Sequence, residues 1–541
     1  MAVIRTALQD WRRYVVGSFT QLLANPVIGR ELRVRVRLGR GYLLQAAYLA
    51  FMILIVALAY EWVVSDEDNL RNPFQMQMAL KGFYYTVLGT LITLIVLIAP
   101  ALTANAITLE RERKTIDLLL ATPLTARHLL TGKLMASFAF VVLLLALTLP
   151  VNAVSVLLGG VSFGDLLRAY AIVASGALVL CSIALFTSAY ARNSTMAVLW
   201  SYLRVGAFLL LSSVLFVLQS ITGGLPGGAA ARGGVGVNLY FPALLLNPFS
   251  ALIAADTEVN LIRWQLPSWL VGVVLCLLFT RLLLTSAARK VGLYDKDVMP
   301  SLRRQLLVLL PGYVMLTAIP LLNVAPPIGM GVRGVDPALA AALILLCVSP
   351  FLVLAGWIAP FGKDDDKECP NDGVFRLSKM FTAAPSGALP FLMTLWILLL
   401  SAFLLSLYWT GTLAAFDITL WEFTIAMVVY FTGLWSLFWA IGRCCSVLLK
   451  GSSLVGARAL TLVTITTLVT LPIILQLLFF MDYKNSPAML IWIFTPLNEA
   501  FTDFGNPANS AKLFGWGSAM LLLSALLAMF TRKRNHGRVA V

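Results

Sequence analysis

The sequence predicts an all-α polytopic membrane protein: about twelve transmembrane helices in two parallel six-helix repeats, with N and C termini cytoplasmic. Three observations carry that prediction. Of 541 residues, 60% are hydrophobic and only 12% charged, and the mean hydropathy is +0.88, so there is too little polar surface to cover a water-soluble globule. The apolar residues gather into runs of about 20, the length that crosses roughly 30 Å of hydrocarbon as a helix. The runs show no period-two alternation, so a barrel is excluded and helices remain the way to satisfy the backbone in lipid. The formal charge of +15 is scattered between the apolar runs instead of forming one stripe, so nucleic acid is not an expected partner.

Along the chain the first 40 residues carry eight arginines and lack the charged, apolar, small-residue order of a cleavable signal, so the N-terminus is expected to stay. Expected spans then fall near 42–62, 84–108, 134–157, 169–191, 196–219 and 266–287. A second set falls near 305–322, 337–360, 388–409, 418–442, 455–480 and 513–531. With both ends inside, thirty of the forty Lys and Arg residues lie in the seven inner segments and eight in the outer loops. That is the asymmetry that orients membrane helices, and one span missed or invented in the middle would invert it.

Three landmarks recur in order in the two sets. Ala121-Thr122-Pro123-Leu124 pairs with Ala383-Ala384-Pro385-Ser386, Arg192-Asn193-Ser194 with Lys450-Gly451-Ser452, and Asn247-Pro248-Phe249 with Thr495-Pro496-Leu497. A half of 1–290 is therefore expected to be followed by a divergent half of 291–541. Six spans per half give both the same orientation, as in parallel repeats.

The most informative stretch is the inner loop after the second span. It runs Glu110-Arg111-Glu112-Arg113-Lys114-Thr115, then an apolar turn through Leu119, a stop at Pro123, and Gly132-Lys133. Alternating carboxylates and guanidinium groups followed by a short apolar turn suit a docking surface, with knobs for a groove and charges that set register. The plainer reading, charges anchoring a helix end at the headgroups, stays open on composition alone.

Glu110 to Lys133 resembles the cytoplasmic segment of ABC-2 type transporter permeases, and Asn25-Pro26-Val27-Ile28-Gly29-Arg30-Glu31-Leu32 resembles the start of one branch of them. The resemblance covers about residues 20–290 and is fainter beyond. It implies an amphipathic N-terminal helix on the inner membrane surface and a loop that seats in a separate ATP-binding subunit. Glu110, Arg111 and Glu112 would sit at the helix end that meets that subunit, and Thr115, Leu119 and Pro123 in the coupling segment. It also implies a multi-pass permease of the cell inner (plasma) membrane, not itself an enzyme. Membrane lipid surrounds it, a homodimer is one possible assembly, and ATP-Mg is held in the partner with no cofactor bound directly.

The motifs absent from the sequence agree with that division of labour. Thr131-Gly132-Lys133-Leu134 lacks both the upstream Gly and the hydroxyl of a phosphate-binding loop. The two histidines, His128 and His536, neighbour no Ser or Cys nucleophile on the same element, and the six cysteines lack paired metal spacings. In the second half the loop Lys363 to Gly373 lacks the Glu-Arg-Glu arrangement, and Pro370 stands where a calcium loop needs a ligand.

Inside the spans, Arg204 and Asn105 are the candidates for a translocation path. Arg204 either lines a cleft or snorkels to the inner headgroups. Buried amides such as Asn105 and Asn152 also bond neighbouring helices for structural reasons. Two rivals to a permease are a twelve-span secondary transporter and a membrane anchor or scaffold of a multiprotein machine. The first would need buried carboxylates, which the spans almost lack.

Overall fold

A computed structural model describes residues 26–37, 39–65, 73–115, 125–157, 161–221, 242–261, 264–291, 298–324, 350–359, 375–382, 385–409, 418–448, 456–465, 467 and 507–537. The chain forms two compact units, Met1–Leu302 and Arg303–Val541.

In the first unit a short helix α1 (Pro26–Arg37) precedes α2 (Gly39–Ser65) and α3 (Pro73–Thr103). A turn at 104–107 leads to the five-residue α4 (Thr108–Glu112). Then come α5 (Ala126–Leu157), α6 (Phe163–Tyr190) and α7 (Ser194–Ile221). After α7 a 3-10 turn, Pro242–Leu246, leads into α8 (Pro248–Ile253). A two-stranded antiparallel hairpin follows, β1 (Glu258–Leu261) with β2 (Trp264–Pro267), in the register Glu258 opposite Pro267 and Leu261 opposite Trp264. The all-helical expectation did not include it. Helix α9 (Ser268–Val291) closes the unit.

The second unit contains most of α10 (Val298–Val324), α11 (Ala388–Trp409), α12 (Ile418–Leu448), the shorter α13 (Gly456–Ile465) and α14 (Pro507–Gly537). Among the described residues ten helices are long and apolar enough to cross a membrane. The chain is therefore a polytopic membrane protein whose described residues are almost all helical, the hairpin apart. The expected spans at 337–360 and 455–480 lie largely outside the described residues. Several helices begin before the expected apolar run, α3 at Pro73 against 84 and α5 at Ala126 against 134, because polar residues can continue the backbone ladder beyond an apolar stretch.

Helix α6 is the post around which the first unit packs, against α3, α5, α7 and α9. Its sequence explains that position: Ala174, Ser175, Gly176, Ala177, Ser182, Ala184, Thr187, Ser188 and Ala189 keep its surface narrow, so neighbours approach closely without a hydrophobic drive between helices. A Cβ at Gly176 would lie 2.8 Å from Pro248. The surrounding core includes Met52, Leu88, Leu91, Leu130, Leu144 and Val179. Leu199, Leu203, Leu210 and Leu211 of α7 stay exposed, as expected for faces solvated by lipid tails. In the second unit Phe351 stacks on Trp396 and meets Trp435 edge-on. There α12 and α14 cross at glycines: a Cβ on Gly433 would fall 2.4 Å from the Gly517 carbonyl oxygen.

Candidate functional site

The residues singled out in the sequence converge on one end of the first unit, where the last turn of α6 is the common anchor. At 104–107 the helical ladder of α3 breaks, and the amides of Ile107 and Thr108 both donate to Ser188 Oγ, at 3.0 and 3.2 Å. A side chain some 80 positions away thus satisfies donors that a break would orphan. The neighbouring Asn105 is half-buried. Its carbonyl accepts from the Leu109 amide, and its side-chain Oδ1 has no hydrogen-bond partner among the described residues.

Each member of Glu110-Arg111-Glu112 grips a different element. Glu110 accepts from Lys133 Nζ at 2.7 Å, and the same ammonium reaches Glu31 of α1 at 3.1 Å. Lys133 is only 3% exposed, so its charge survives in the bundle because two carboxylates meet it. Arg111 donates to the Ala191 carbonyl at 2.6 Å and the Ala189 carbonyl at 3.1 Å, placing a cation where the α6 dipole is negative. Glu112 accepts from the Ser194 amide at 2.6 Å and the Ser194 hydroxyl at 2.7 Å, placing an anion at the positive end of α7. Helix α4 thereby fastens α1, α5, α6 and α7 together through polar bonds.

The exit from α4 has a specific backbone form. The Thr115 amide donates to Glu110 O and the Lys114 amide to Arg111 O, the paired bonds of a Schellman stop. Lys114 sits at the left-handed position with φ 56°, where glycine is the usual residue. Thr115 also donates its hydroxyl to Glu110 O at 3.2 Å. The rest of the expected coupling segment, including Leu119 and Pro123, lies outside the described residues.

Arg204 lies ten residues into α7. Its Nη1 donates to Thr187 Oγ1 at 3.1 Å, and its guanidinium rests 5.3 Å over the Phe186 ring. It is half-buried and tied sideways to the same final turn of α6 that receives Arg111. The sequence reading missed Glu31, Lys133, Thr187, Ser188 and Ser194 as partners of this cluster. A lone lysine opening an apolar helix, and hydroxyls at a helix end followed by Arg192-Asn193-Ser194, were the available signals.

Residues 25–355 match the family profile described as ABC-2 family transporter protein. The chain belongs to the ABC-2 transporter family. The match takes in the whole described first unit and runs on to the helical residues at 350–355, further than the resemblance legible by eye. No curated protein matches the chain. As an ABC-2 member with many apolar helices, it is a multi-pass membrane transport permease, and the family in general works with an ATP-binding partner subunit.

Proposed function

We propose that the chain is the membrane permease of an ATP-driven exporter of the cell inner (plasma) membrane, and that a separate ATP-binding subunit grips it beside α4. The proposal includes twelve spans, two parallel six-helix repeats, and N and C termini on the cytoplasmic side. One observation carries it: the segment that follows Glu112 leaves from a five-residue helix bonded to α5, α6 and α7, and through Lys133 to α1, so a force on Thr115 to Pro123 reaches all four. Nucleotide-driven closure of the partner would push this segment and re-aim α1, α5, α6 and α7, changing access to a cleft along which Arg204 and Asn105 lie. Hydrolysis, with ATP-Mg, belongs to the partner, and the chain supplies no catalytic group.

The second unit supports engagement of a second ATP-binding subunit by the same chain. Arg303, 5% exposed, donates to the carbonyls of Met380 and Gly387 and lies 5.1 Å over Phe391. It thus pins the inner segment that carries Arg376 and Lys379. Pairing of two chains, with the second half as an appended module, is the alternative assembly.

The test is to purify the tagged chain and ask whether an ATP-hydrolysing protein accompanies it, and whether replacing Thr115–Pro123 with a Gly-Ser linker releases that protein. Transport by the isolated chain in proteoliposomes, powered by an ion gradient alone, would sink the proposal. The ratio of ATP-binding subunits to chains separates the two assemblies.

A further inference from the structure

At the end of the first unit opposite α4, a cavity of about 340 Å³ opens between α3, the start of α6 and the residues after α8. Its volume lies in the range of small-ligand sites. The lining charges balance: Lys81 and Arg168 against Asp165 and Asp256. Two of these four are already engaged. Arg168 pairs with Asp165 at 3.3 Å, and Asp165 also completes the capping box with Ser162, which takes up amides at the start of α6. Lys81 and Asp256 form no ion pair or hydrogen bond among the described residues. Beside them stand Tyr84 and Tyr85, edge to face at 5.5 Å, with the Tyr84 hydroxyl held by the Asp165 carbonyl at 3.3 Å.

A simple anion entering this space would meet two carboxylates, and a simple cation would meet an ammonium and a guanidinium. A ligand that carries both signs can pair with both kinds of group, which stand exposed or half-exposed around the cavity. We infer that this cavity binds a zwitterion, with its ammonium group at Asp256 and the tyrosine faces and its acidic group at Lys81 and Arg168. A lipid headgroup and a free solute share that chemistry. The inference does not depend on ATP coupling, because it concerns the chain alone and needs neither nucleotide nor a second subunit.

The full chain is reconstituted in phosphatidylglycerol nanodiscs and titrated calorimetrically with phosphoethanolamine, with ethanolamine alone, and with inorganic phosphate. In parallel, nanodiscs that also contain phosphatidylethanolamine are used, and native mass spectrometry reads which lipid is retained. Saturable binding of soluble phosphoethanolamine, at least tenfold tighter than either half-ligand, supports a solute site. Selective retention of phosphatidylethanolamine without soluble binding supports a headgroup site. In either case Lys81→Gln and Asp256→Asn each weaken binding about tenfold. The exchange Lys81→Asp with Asp256→Lys recovers part of the loss, with the same elution volume as the parent chain. The inference is overturned by inorganic phosphate binding as well as phosphoethanolamine, by binding unchanged in both single variants, or by no preference for the zwitterion in either format.

Discussion

Replacing Lys133 with Met removes the cation at the centre of the α1–α4–α5 joint while nearly preserving side-chain volume. Lys133 Nζ stands 2.7 Å from Glu110 and 3.1 Å from Glu31, whose side chains are 16% and 27% exposed. At an effective dielectric of about 20, each contact represents an attraction of about 5–6 kcal/mol, most of it offset by the cost of taking the charges out of water. Loss of one member of a buried pair typically costs about 3–5 kcal/mol because it strands the other. Glu31 keeps some hydration and Glu110 keeps little, so a net loss of about 2–4 kcal/mol is expected. In a unit of roughly 300 residues, at about 1.6 °C per kcal/mol, the purified chain should melt about 3–6 °C lower. Adding Glu110→Gln to Lys133→Met should recover much of the loss, since a neutral amide replaces the stranded carboxylate; Glu110→Gln alone should be destabilising. The reasoning is refuted if Lys133→Met melts within 1 °C of the parent, or if the two substitutions are additive in a double-mutant cycle.

Three further outcomes are expected. Charge reversal of Glu112 to Arg should lower coupled transport more than tenfold while membrane insertion, read by protease protection, is unchanged; normal transport would remove the assigned role of the α4–α7 bond. Lys114→Gly should stabilise the first unit by about 1 kcal/mol, because glycine occupies the left-handed position at lower cost, and thermal melting checks the direction. Gly517→Leu should destabilise the second unit by about 2 kcal/mol or more, because a Cβ at this position already falls 2.7 Å from the Tyr430 backbone; aggregation on gel filtration would register the failure of α12 and α14 to cross.

The helices were legible because lipid makes a strong demand: an apolar run of the right length has few alternatives. The polar joints were less so. Nothing around 104–107 announces a break, with neither Gly nor Pro in Ala104-Asn105-Ala106-Ile107. The break persists because Ser188 is brought there by α6, and such a partnership is invisible in local sequence. Glu110-Arg111-Glu112 stood out as groups to be offered to a partner; their bonds within the chain, to Lys133, the α6 carbonyls and Ser194, were not legible, and Glu112 stays exposed while making its bonds. Lys133 itself read as the end of a Gly-Lys motif, since no pattern along one strand of sequence tells that Glu31 lies beside it. The hairpin at 258–267 was missed because four-residue strands between spans leave too short an alternation to separate from loop.

Helix α6 is bolted at both tips. Ser162 and Asp165 cap its start, and its final turn receives Ser188-directed amides, Arg111 and Arg204. Its 28 residues extend about 42 Å, long enough to cross a bilayer, and hydrogen bonds hold both ends. By thermodynamic reciprocity, any grip at its final turn that alters how a solute sits beside Asp165 must be answered: that solute will tighten or loosen the grip by the same factor.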